Sequence, residues 1–83
     1  MANKVILAVS QWCTTCPDAA KLWKKLQKQY DFEFEEMDVG SPEGKKMAVR
    51  LYIRSVPSTI IGGQIVHVGV PTEDEAKKLL GVS

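Results

Sequence analysis

Thiols, imidazoles and surplus charge are all scarce in this 83-residue chain, which holds two cysteines, one histidine and a formal net charge of +1. Eleven Lys and Arg against ten Asp and Glu leave no cationic excess of the kind that releases counterions from nucleic acid, so no nucleic-acid partner is expected. Long apolar runs are missing too. The run Val5–Val9, after a single lysine, is shorter than a signal-peptide core and far shorter than the roughly 20 residues of a membrane-spanning helix. The expectation is a cytoplasmic chain without a membrane partner. Two thiols and His67 fall short of the about four ligands of a structural zinc site. The cysteines are also too close together for a structural disulfide to remove much entropy from the unfolded chain, and a reducing cytosol tends to keep such bonds open. The length fits one small domain, residues 1–83, with a modest core, and nothing in the pattern calls for more than a monomer.

What is present is a regular succession of short elements. The β-branched run Val5–Val9 reads as a strand buried on both faces. After "CTTCP" comes a helical period that sets Ala19, Leu22, Trp23, Leu26 and Tyr30 on one side. Lys21, Lys24, Lys25 and Lys28 then form a solvated face. "DFEFEEMDV" alternates Phe32 and Phe34 with acids, as an edge or near-edge strand does, the acids discouraging edge-to-edge pairing. A second helix follows, with Ser41 as N-cap, Pro42 at its first position, a stripe of Met47, Ala48, Leu51 and Tyr52, and a weak point at Gly44. Two β-rich runs flank Gly62-Gly63, a hairpin signal, and a last helix has Thr72 and Glu75 in capping-box spacing with Gly81 as its stop. The order is β-α-β-α-β-β-α: an α/β fold with a mixed four-stranded sheet flanked by three helices. Trp23, Met37, Met47 and Tyr52 stand at core spacing, and His67, on a strand, reads as a surface or satisfied residue.

With stapling and structural zinc set aside, Cys13 and Cys16 fit a redox pair or a two-thiolate site for a soft ion such as Cu(I). A redox dithiol needs one accessible thiol that ionises near neutral pH and a second close enough to release it. At a helix N-terminus, free N–H groups and the macrodipole favour a thiolate, moving a cysteine pKa from about 8.5 towards about 7 or below. Cys13, at the lip of the helix, is the expected nucleophile. Cys16 lies seven residues before Trp23, near the apolar face, and is the expected resolving thiol. Pro17 suits the first turn, where its missing N–H costs nothing.

"WCTTCP" resembles the Trp-Cys-x-x-Cys motif of the thioredoxin and glutaredoxin superfamily, and like that motif it follows a buried strand and opens a helix. "YIRSVPST" resembles the family's cis-proline loop, and Gly62-Gly63 the glycine pair of its last hairpin. The resemblance runs from Val5 to Leu80, in a glutaredoxin-sized format. It implies the thioredoxin fold and a thiol-disulfide oxidoreductase that reduces protein disulfides. It also implies that Trp12 packs beside the site and that Val56 offers backbone hydrogen bonds to substrate. Pro57, in cis, would face the sulfurs and keep metal off the pair. Thr14 and Thr15 occupy the dipeptide that tunes redox potential in the family, and Leu7 stands where thioredoxins usually carry a buried acid.

No bound cofactor or metal is expected. Electrons would come from a thioredoxin reductase-like flavoprotein or, on the alternative of a glutaredoxin, from glutathione. A Cu(I)-carrying metallochaperone is a third reading, against which stands the usual β-α-β-β-α-β order of those domains.

Overall fold

The computed structural model describes residues 3–81. Strand β1 (Asn3–Val9) leads to helix α1 (Cys16–Gln27), β2 (Phe32–Asp38), α2 (Pro42–Leu51), the hairpin β3 (Ser58–Ile61) and β4 (Gln64–Val68), and finally α3 (Glu73–Leu80). The strands form one mixed sheet in the order β2-β1-β3-β4, with β1 parallel to β2 and antiparallel to β3. The expected element order and mixed sheet are therefore present, and the most apolar strand occupies an interior place.

The pleat divides the sheet. Val5 and Leu7 project to one face, where they meet Ala19, Trp23 and Leu26 of α1 and Ala76 and Leu80 of α3 in a single buried cluster. Phe32 joins from β2, its ring edge-on to Trp23 with centroids 6.0 Å apart. Full burial of aliphatic side chains such as Leu7 and Leu26 stabilises the fold by roughly 1.5–3 kcal/mol each. Two buried polar atoms in this region, Trp23 Nε1 and Thr59 Oγ1, have no hydrogen-bond partner among the described residues. The other face carries Lys4, Ile6 and Ala8, paired in register with Glu33, Glu35 and Met37 of β2.

Helix α2 departs from the expected packing. Met47, Ala48 and Leu51 are only half-buried, as is Met37 on β2. Tyr52, expected in the core, is 77% exposed. The cause is local: Tyr52 caps α2 in the left-handed region (φ 56°), so the chain turns there and the side chain leaves the helical stripe. Gly44 is no weak point either. It is the fully buried residue of α2, and a Cβ there would collide with the Asp38 carbonyl oxygen and the Val39 backbone. Absence of a side chain is what lets α2 start so close to the end of β2.

The helix caps agree with the sequence. Ser41 Oγ accepts from the Gly44 N–H at 3.0 Å, and Thr72 and Glu75 form both halves of a capping box. The hydrogen bonds from Thr72 hold the Glu75 carboxyl below its ordinary range, with His67 helping. His67 Nδ1 lies 3.9 Å from Glu75, which ties β4 to α3 and gives the histidine a structural neighbour. Of the three lysines on α1, Lys24 pairs with Glu36 at 4.0 Å and Lys25 with Glu73 at 3.6 Å, and all three are exposed, as is Lys28 at the C-cap.

Candidate active site

Cys13 and Cys16 sit between the end of β1 and the start of α1, joined as a disulfide with their Cα atoms 5.5 Å apart. Two contacts build this corner. The Cys13 N–H donates to the Ser10 carbonyl at 3.0 Å, closing the turn that leaves β1, and the Cys16 N–H donates to Cys13 Sγ at 3.1 Å. The second is the notable one. Thr15 is the N-cap of α1 but makes no side-chain capping bond: the Asp18 N–H that a cap side chain would take goes to the Thr15 carbonyl at 3.1 Å, and the first N–H of the helix, that of Cys16, points at the sulfur of Cys13. Pro17 falls in the first turn, where it has no N–H to satisfy.

The two sulfurs have different surroundings. Cys16 is 4% exposed, on the same side of α1 as Ala19, Ala20 and Trp23. Cys13 is half-exposed, with Thr15 Oγ1 3.7 Å from its sulfur. An accessible sulfur under a helix N-terminus and a buried one three residues on is the arrangement that the helical period implied. Thr14 and Thr15 are both exposed.

Of the other residues singled out, Trp12 is 85% exposed, its ring in solvent next to Cys13 in the chain. The Val56–Pro57 peptide bond is cis. Pro57 is buried and its carbonyl accepts from the Gly69 N–H at 2.8 Å, which fastens the loop before β3 to the end of β4. Val56 is half-buried, and among the described residues its backbone N–H and carbonyl have no hydrogen-bond partner within the chain. Leu7 is fully buried and pairs across the sheet with Thr59 and, in parallel, with Glu36.

Sequence reasoning missed one part of the site. A groove of about 520 Å³ opens beside the disulfide, lined by both cysteines and by residues of α1 and β2, among them Lys21 and Glu36. One signal for it was available: Pro17, Lys21 and Lys24 are spaced four and three apart, which stacks them on one flank of α1.

Comparison with known proteins fits this corner into a family. The Thioredoxin domain family matches residues 1–81. The chain belongs to it. A probable thioredoxin of Archaeoglobus fulgidus is 34% identical over 74 residues, covering 89% of this chain and 81% of that protein. The reduced thioredoxin pre-protein of Schistosoma mansoni is 26% identical, with a TM-score of 0.78 over 96% of this chain and 77% of the other. A malaria parasite thioredoxin-2, described as a component of protein secretion machinery, shares the fold at 17% identity, with a TM-score of 0.76 over 96% and 82% of the two chains. The chain is thus a small thioredoxin-family protein with the thioredoxin fold, carrying its own disulfide at the start of α1. Among the described residues no helix is long and apolar enough to cross a membrane.

Proposed function

We propose that this chain, acting as a single domain, is a protein disulfide reductase of the thioredoxin type, with Cys13 as nucleophile and Cys16 as resolving thiol. The observation that carries the reading is the asymmetry of the pair: Cys13 Sγ is accessible and accepts the first N–H of α1, while Cys16 is nearly closed off from solvent. In the reduced protein that N–H and the helix dipole favour the Cys13 thiolate. The thiolate attacks one sulfur of a substrate disulfide; that S–S bond breaks, and the leaving thiolate takes a proton from solvent. The Cys16 thiolate then attacks Cys13 Sγ, forming the intramolecular disulfide and releasing the second substrate thiol. Two electrons and two protons pass to the substrate, and the protein is left oxidised.

Trp12 and the unpartnered backbone of Val56 supply the surface for the substrate chain, with Pro57 holding the loop against the sulfurs. Thr14 and Thr15 set the potential of the pair. Leu7 leaves no carboxylate at its place on β1, so the proton of the resolving thiol goes to water or to another group. The partners in this reading are disulfide-bearing proteins in the cytoplasm and a flavoprotein reductase of the thioredoxin reductase type, and the protein works as a monomer.

Insulin reduction by dithiothreitol should accelerate with this protein and lose the acceleration in Cys13→Ser; unchanged turbidity kinetics with the unaltered protein would sink the reductase reading. Cys16→Ser should trap a mixed disulfide through Cys13. Coupling to NADPH oxidation, with thioredoxin reductase in one assay and glutathione with its reductase in another, identifies the electron donor. Turnover only in the second would replace thioredoxin-type recycling with the glutaredoxin alternative. A chelator-resistant Cu(I) complex of the reduced pair would favour the metallochaperone instead.

A further inference from the structure

The groove beside the disulfide is separate from the surface assigned above to the substrate backbone. Trp12, Val56 and Pro57 do not line it; Cys13 and Cys16 do. Its apolar lining includes Val9, Pro17 and Ala20, and its charged lining is Lys21 and Lys24 on α1 with Glu36 and Asp38 on β2. These charges are not equally available. Lys24 and Glu36 lie 4.0 Å apart and offset one another. Asp38 Oδ1 accepts the Gly40 N–H at 2.8 Å. Lys21 is exposed and, among the described residues, has no hydrogen-bond or ion-pair partner.

We propose that this groove is a specificity subsite for the substrate protein: it takes an apolar side chain next to the substrate's reactive cysteine, while Lys21 pairs with an acidic residue beside that side chain. The inference rests on the reductase reading. A polypeptide whose sulfur is bonded to Cys13 has to run past the mouth of a groove that Cys13 itself lines, so the segment flanking its cysteine is the occupant within reach. An apolar lining of this size removes an aliphatic side chain from water. Of the two lining cations Lys21 is the one without an ion pair, and an acid is what it binds. Lys21 is a specificity-determining residue here and takes no part in the sulfur chemistry.

The test uses four peptides of equal length, each with one cysteine disulfide-linked to a common leaving thiol and followed by Leu-Glu, Leu-Lys, Gly-Glu or Gly-Lys. Their kcat/KM is measured with the reduced protein and with Lys21→Glu. Leu should be favoured over Gly by about tenfold in both proteins. Glu should be favoured over Lys by roughly two- to fivefold, the range of an exposed ion pair, and Lys21→Glu should invert that preference. Because each preference is a ratio of two peptides on one protein, a change in stability or in thiol reactivity cancels. Equal rates for Leu and Gly, a preference for Lys in the unaltered protein, or a Glu-to-Lys ratio that Lys21→Glu leaves unchanged would each overturn the subsite. Four peptides reduced alike would remove the subsite and leave the reductase standing; four peptides not reduced at all would remove both.

Discussion

Helices α1 and α2 start alike and are held in opposite ways. Each places a hydroxyl residue at the N-cap and a proline in the first turn. At α2 the cap works locally: Ser41 Oγ accepts the Gly44 N–H, and Ser41 also donates to the Asp38 carbonyl at 2.6 Å. At α1 the Thr15 side chain makes no such bond, and the Cys16 N–H is directed to the sulfur of Cys13. Burial runs the other way. Cys16, Ala19, Ala20, Trp23 and Leu26 of α1 are buried, whereas α2 fully buries Gly44 and leaves Val49 and Tyr52 each 77% exposed. In α1 the first N–H is turned towards chemistry, the cap makes no side-chain bond, and the helix is anchored further along by the core. A helix without that task is pinned at its first turn and packs loosely beyond it.

Removing the anchor of α1 should have the largest effect. Trp23→Ala, at a fully buried position, should cost roughly 3–5 kcal/mol in denaturant unfolding. A loss below about 1 kcal/mol would mean that α1 is held elsewhere. Next comes the pin of α2. Gly44→Ala should gain about 1 kcal/mol of helix propensity, but its Cβ meets backbone atoms that cannot rotate away, so a net loss of about 1–3 kcal/mol is expected in the same assay. A stabilised variant would show that the two elements part easily. The capping pair gives the sharpest contrast at the smallest scale. Ser41→Ala should cost about 1 kcal/mol, and Thr15→Ala less than about 0.5 kcal/mol, because only the first removes a capping bond. Equal losses would erase the distinction between the helices.

The same contrast explains how much was legible beforehand. Strand and helix order followed from period and punctuation: the unbroken apolar run of β1, the lysine face of α1, the capping box of α3 and the glycine pair of the hairpin are all local signals. The positions of Cys13 just before α1 and of Cys16 on it were equally local, since a 3.6-residue period is enough to separate a lip from a core face. The failures came where one element meets another. Gly44 looked like a weak helix residue because its reason is the backbone of β2, and Tyr52 kept its place in a helical stripe that the chain had already left. Lys21 looked like any lysine of a solvated face. Only the packing of α1 against β2 makes it the unpaired cation of a groove.

If the start of α1 makes the two thiols unequal, direct titration of both in the reduced protein shows it most simply. With each cysteine labelled at Cβ with carbon-13 and followed by NMR, Cys13 should ionise first, below the ordinary value of about 8.5 and towards about 7, and Cys16 well above it. Cys16 ionising first, or both ionising together near the ordinary value, would contradict the account.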